Sequence, residues 1–456
     1  MSATKDILLG QIRSGGVLTT GQQVKLCLML SYPAILAQLS SVMMQYIDSA
    51  MVGHLGAAAG ASIGLVSTCM WLMGGFGMAA TSGFSVQVAH RIGANDFKGA
   101  RAVLRQALVC VLGFGVVIGL LGAAVSQQLP VWLGGGEDIV ADASRYFLIL
   151  SLFMPAMFLD WMCAAMLQAS GNMKVPSLLS IGMCLMDVVF NYLFIYKMEM
   201  GVAGAALGSG LAEVITGLLM FSFLAFRSKE LRLTQEKGSF HPEETTVKKA
   251  LNISAPMALQ NILLRGGYIC ATVIVAPLGT IAIAANSFAI TAESLCYMPG
   301  VGIADAATTL VGQSVGARRK ELATRFAWIT AFMGMAVMGF LAVLMYFFAP
   351  EMMGVMSPDV SVVELGARVL RIEAFAEVGY AASLVIYGAC VGAGDTRWPS
   401  VMNFGSMWVV RIIPAIFITR LYGLVGFWVC MAVELTFRGT LFLIRLYRGT
   451  WLKRVA

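Results

Sequence analysis

QVAHRIGANDFKGAR, residues 87–101, and LVGQSVGARRKELATR, residues 310–325, end two long apolar runs in the same way, with a Gly-Ala pair, a polar turn and a cluster of bases. They begin 223 residues apart, and that shift also aligns Pro33 with Pro256, Leu55-Gly56 with Leu278-Gly279, Gly171 with Gly394 and Pro176 with Pro399. Small residues often match by chance in apolar sequence. One offset that aligns the punctuation over about 140 residues indicates an internal duplication.

Each copy contains six apolar stretches long enough to cross a hydrocarbon layer about 30 Å thick. They lie at roughly 26–52, 57–90, 98–126, 139–168, 175–197, 202–226, 250–277, 281–313, 321–348, 361–391, 398–419 and 424–445. Hydrophobic residues make up 59% of the chain and charged residues 12%, against about 25% charged in an ordinary soluble domain. The expected fold is an all-α polytopic membrane protein with 12 transmembrane helices in two parallel six-helix repeats. The expected organisation is a lead-in (1–25), an N-terminal lobe (26–226), a linker (227–249), a C-terminal lobe (250–446) and a tail (447–456).

Lysine and arginine are segregated between alternate loops. The N-terminal tail, RIGANDFKGAR, GNMKVP, the linker, GARRKELATR, GDTR and the C-terminal tail hold nearly all of them, and the other loops hold only Lys197 and Arg420. By the positive-inside rule both termini and the linker are expected in the cytoplasm. The net charge of +7 then reports orientation, and no nucleic-acid partner is expected. The first 24 residues lack the apolar core and small-residue cleavage site of a signal peptide.

Other chemistries find little support. Nine cysteines are scattered singly through apolar runs, and the three histidines, His54, His90 and His241, lie far apart. Neither set has metal-ligand or catalytic spacing, so an enzyme is not expected. No G-x-x-x-x-G-K-[ST] occurs, so nucleotide hydrolysis is not supported within this chain. A passive channel fits poorly with two pseudo-symmetric lobes whose acids differ.

YIDSAMVGHLG at 46–56, the two loop motifs above and GACVGAGDTRWPS at 388–400 together resemble the bacterial branch of the MATE (multidrug and toxic compound extrusion) transporters. The resemblance covers essentially all of 26–445. It implies a V-shaped, two-lobed secondary antiporter of the bacterial inner (plasma) membrane, acting as a monomer. Small organic, often cationic, compounds would be exported in exchange for inward Na+ or H+ by alternating access, with no cofactor beyond the coupling ion. In similar proteins the acid ending the first helix is a cation-coupling residue, here Asp48, joined by fifth-helix residues four apart, here Asp187 and Asn191. If sodium couples transport, these three would hold it. Many relatives also carry an acid in the seventh helix, where this chain has ALQNILLRGGY and presents Arg265.

The residues support the same candidates independently. A charge inside a span is costly and turns toward protein or a water-filled cavity. Asp187 and Asn191, at i and i+4, share a helix face. Glu293 and Glu377 stand near mid-span and are candidates for substrate or proton binding, or for neutralising Arg265 or Arg411. Asp305 and Arg265 complete the substrate set, Asp160 and Glu213 are weaker candidates, and Glu434 and Arg438 are expected to pair. Pro33 and Pro256 each remove a backbone bond early in equivalent helices and are expected to permit bending. A lipid or lipid-linked oligosaccharide flippase of the same broad superfamily is the alternative, since Arg265, Arg368, Arg371 and Arg411 could line a basic cavity.

Overall fold

The computed structural model describes residues 2–452 and is helical almost throughout, with no strand among them. A lead-in helix α1 (Ser2–Ser14) precedes α2 (Thr20–Gly53), α3 (Ala57–Gly93), α4 (Phe97–Val125), the short α5 (Leu129–Trp132), α6 (Glu137–Ala169), α7 (Lys174–Asn191) and α8 (Gly201–Phe226). The second half consists of α9 (Glu244–Val275), α10 (Thr280–Gly316), α11 (Lys320–Met356), α12 (Val360–Ala374), α13 (Glu377–Gly392), α14 (Arg397–Ser406) and α15 (Ile413–Arg448). In apolar surroundings a backbone must satisfy its own polar groups, so long apolar runs fold as helices.

The 223-residue offset is visible in the backbone. Gly56 and Gly279 precede equivalent helices with φ of 116° and 98°, Gly171 and Gly394 have φ of 88° and 82°, and Asn95 and Arg318 share a left-handed φ of 59°. The turn in each repeat's opening motif is thus built the same way although its side chains differ.

Two features bring the number of spans among the described residues to twelve. Helices α12 and α13 are one span bent by 58° at a short break. The segment Arg397–Arg448 is 52 residues long, which as one helix would measure about 78 Å, far beyond a bilayer's apolar thickness. It reverses at Gly423, whose φ of 65° and ψ of −148° are not helical. A Cβ on Gly426 would lie 2.9 Å from the Ile418 carbonyl oxygen, a proximity that only a hairpin provides. The fifth span of each half also contains a π-helical turn, at its end in the first half and in its middle in the second. One covers Tyr192–Lys197 and the other Met407–Ile412, with i→i+5 bonds from Met198 to Leu193 and from Ile413 to Trp408.

The helices form two compact units, one of residues 40–258 and the other of 1–39 with 259–456. This grouping differs from the lobes expected on either side of the linker: α2 passes from one unit to the other six residues after Pro33, and α9 does so two residues after Pro256. Both prolines lie inside continuous helices. In the first unit, Phe158, Met162 and Met166 of α6 pack with Leu104 and Leu108 of α4 and with Met220 and Leu224 of α8. The linker is fastened to this unit by two buried arginines of α4. Arg101 donates to the Glu236 carboxylate at 2.7 Å and the Glu230 carbonyl at 3.1 Å, and Arg105 donates to the Glu236 carbonyl at 2.6 Å. In the second unit, Trp428, Met345 and Leu370 lie in the core. The lead-in helix buries Leu8, Leu9 and Ile12, and Arg319 donates to the Gln11 carbonyl at 3.0 Å.

Candidate functional site

Asp48, Asp187 and Asn191 meet in the first unit. Asp48 lies five residues before the end of α2, while Asp187 and Asn191 occupy the last turn of α7. The Asn191 amide donates to Asp48 Oδ1 at 3.0 Å and to Asp187 Oδ2 at 3.1 Å, bridging the two carboxyl groups. Asp187 and Asn191 are each 1% exposed, and Asp48 is half-buried. Neither aspartate forms an ion pair with a base among the described residues. Asn191 Oδ1 is buried without a hydrogen-bond partner there. Two carboxyl groups and a spare amide oxygen form the all-oxygen donor set that suits a hard cation, and two adjoining acids equally suit a shared proton.

Packing fixes this geometry. Helix α8 meets α7 at Gly208, where a Cβ would run into Asn191 Oδ1 and stand 3.0 Å from the Asn191 nitrogen. The next residue, Ser209, lies beside Asp187. The buried phenol of Tyr146 on α6 is close enough to sense both aspartates. Gly208, Ser209 and Tyr146 carry no sequence signal, because their places depend on which helices adjoin. A second acidic pair, Asp160 of α6 and Glu213 of α8, lies close together, with Glu213 also within electrostatic range of Asp187.

The second unit gathers acids differently. Glu293 of α10, Glu373 near the end of α12 and Glu377 at the start of α13 bring carboxylate oxygens within 4.8 Å of one another. Both oxygens of Glu373 and of Glu377 are buried without hydrogen-bond partners among the described residues. Sequence reasoning singled out Glu293 and Glu377 but passed over Glu373. The signal was EAFAE, two acids four apart, which the break after Ala374 turns toward Glu293. Tyr297 and Tyr380 pack nearby with ring centroids 5.5 Å apart and planes inclined by 56°, and both lie within electrostatic range of Glu293.

The alternative in which Glu293 or Glu377 neutralises Arg411 is not the pairing found. Arg411 binds Glu434 at 2.7 Å, and Glu434 is also held by Arg438 at 2.6 Å and by the Ser406 hydroxyl at 2.5 Å. The expected Glu434–Arg438 pair is therefore present and has a third member, 23 residues away across the hairpin. Arg265 lies over the Tyr268 ring at 5.7 Å. Asp305 stands apart from the trio, accepting from Gln38 at 3.5 Å.

Comparison with known proteins places this arrangement. The MatE family profile matches twice, over residues 33–193 and 256–417, two segments that start 223 residues apart. A Thermotoga maritima protein named "Probable multidrug resistance protein NorM" is 26% identical over 435 residues, covering 93% of this chain and 92% of its own. A protein of the same name from Idiomarina loihiensis is 26% identical, covering 92% and 93%. Among solved structures, a MATE transporter in complex with MaL6 superposes with a TM-score of 0.90 at 20% identity, covering 98% of this chain and 99% of its own. A MOP superfamily transporter from Pyrococcus furiosus gives 0.89 at 19%, covering 98% of both chains. The duplicated profile match across most of its length makes this chain a member of the MatE family.

Proposed function

We propose that the protein is a multidrug-type exporter of the bacterial inner membrane that carries organic cations outward in exchange for inward Na+ or H+. The observation that carries this reading is the Asn191 bridge between Asp48 and Asp187, a buried oxygen-rich site with no basic partner among the described residues. The coupling ion would bind at Asp48, Asp187 and Asn191, displacing the Asn191 donations and recruiting the amide oxygen. The carboxylates of Glu293, Glu373 and Glu377 with Tyr297 and Tyr380 supply negative charge and aromatic faces, the surroundings a desolvated organic cation favours. The NorM name of the bacterial relatives supports a multidrug role. The flippase alternative asks for a basic cavity, and of the four arginines it rests on, Arg411 is engaged by Glu434.

The test is efflux of a fluorescent organic cation from proteoliposomes with Na+ and pH gradients imposed separately. One gradient is expected to drive efflux, and Asp48→Asn to abolish that dependence. Full gradient-driven efflux by Asp48→Asn would refute the site.

A further inference from the structure

The ion sites leave unused a cavity of about 1160 Å³ in the second unit, among α11, α12 and the arm of α15 after Gly423. None of the three clustered glutamates lines it. Along α12 its wall is formed by Glu364, Arg368, Arg371 and Phe375, which recur at helical spacing on one face. The charged part lies toward the α11–α12 connection. Helix α11 starts at the Arg318-Arg319-Lys320 turn, so that connection is at the opposite end of the bundle from the basic loops. The facing wall on α15 is largely apolar, with Val429, Val433 and Phe437 beside Thr436 and Thr440, and Phe375 adds to it from the end of α12.

Counted from Val360, Arg368 stands about 12 Å and Arg371 about 17 Å along the helix. Arg371 is fixed in place, its Nε donating to the Tyr346 carbonyl at 3.1 Å and its guanidinium over the Tyr346 ring at 5.7 Å. Arg368 is exposed. Neither arginine forms an ion pair with a carboxylate among the described residues, although Glu364 stands only one turn from Arg368. A guanidinium within a span is costly unless it reaches water or an anion joins it. Their planar donors match a phosphate diester. A free anion would leave the apolar lining of the cavity unexplained, whereas an anion joined to a hydrocarbon chain fits both kinds of lining.

We propose that this cavity seats one anionic phospholipid from the leaflet on the side of the α11–α12 connection. Its phosphate lies against Arg368 and Arg371, and an acyl chain follows Phe375, Val433 and Phe437. The lipid is a bound component rather than exported cargo, and the proposal does not depend on which ion drives transport.

The test is native mass spectrometry of the full chain in detergent, titrated with phosphatidylglycerol, with phosphatidylcholine, or with phosphatidylglycerol plus excess inorganic phosphate. One phosphatidylglycerol should be retained about tenfold more strongly than phosphatidylcholine and should resist phosphate, and Arg368→Gln/Arg371→Gln should lose that preference. Glu364→Gln, which removes the repelling carboxylate, should strengthen retention several-fold. Equal retention of the two lipids, displacement by phosphate alone, a preference kept by the double variant, or a protein dimer in place of the lipid would each overturn the proposal. Should the double variant fail to fold, unchanged retention by Glu364→Gln overturns it as well.

Discussion

At the scale of single residues, Asn191 determines what the N-terminal site can do, because one amide bridges two acids while keeping its oxygen spare. Gly208 holds that amide in place through the absence of a side chain. Gly208→Ala should displace Asn191 and slow gradient-driven efflux about tenfold, the order of loss expected when liganding atoms are misplaced, with folded yield maintained. Unchanged transport would show that the contact is incidental. Outside the membrane, the Arg91 guanidinium, 2.6 Å away, holds the Asp96 carboxyl below the usual carboxylate range, and Asp96 also caps α4 through the Gly99 amide. A depressed acid stabilises the fold above its ordinary pKa and loses that contribution as pH falls through the lowered value. Asp96→Asn should therefore lower the melting temperature at pH 7, and the gap to the parent protein should close near the acid end of the carboxylate range. Asp48, Asp187 and Asn191 were legible in the sequence because polar residues stand out against apolar runs and i,i+4 spacing is visible in one dimension. The Arg411–Glu434 bond was not, since it joins residues on either side of a hairpin turn.

At the scale of elements, the linker reads in sequence as a loose polar connection, yet Arg101 and Arg105 are nearly buried against it. Charge-assisted bonds of this kind contribute about 1.5–3 kcal/mol each. Arg105→Ala should free the segment around Leu233–Gly238, raising its protease cleavage severalfold in the folded protein, and an unchanged digestion rate would argue against the clamp. The prolines make a second prediction. Pro33 lies six residues before α2 passes from one compact unit to the other. If bending there accompanies ion binding, Pro33→Ala should alter transport rate or coupling, and an unchanged gradient response would exclude that role. The two-repeat plan was legible because glycine and proline mark turns and breaks directly. The broken α12–α13 span was not, since nothing in RIEAFAEVGY interrupts the apolar pattern strongly enough to reveal a 58° bend.

At the scale of the molecule, the duplication preserved the backbone and let the chemistry diverge. Position 271, the counterpart of Asp48, is alanine, and Arg319, the counterpart of Asp96, fastens the lead-in helix instead of capping a turn. Charge segregation predicts a cytoplasmic linker. A protease site inserted near His241 should be cut in everted vesicles and not in intact cells, and the reverse pattern would invert the topology. The π-turns at Tyr192–Lys197 and Met407–Ile412 share a span but not a position, the second starting eight residues before the counterpart of the first. A π-turn is an α-helix carrying one surplus residue, so each repeat stores a single-residue insertion beside a key polar side chain, Asn191 in one and Arg411 in the other. Removing one residue from an ordinary membrane helix would rotate everything beyond it out of register. Here the same deletion would instead restore a regular helix, so at these two turns, among the described residues, the chain is expected to shorten by one residue without losing its span.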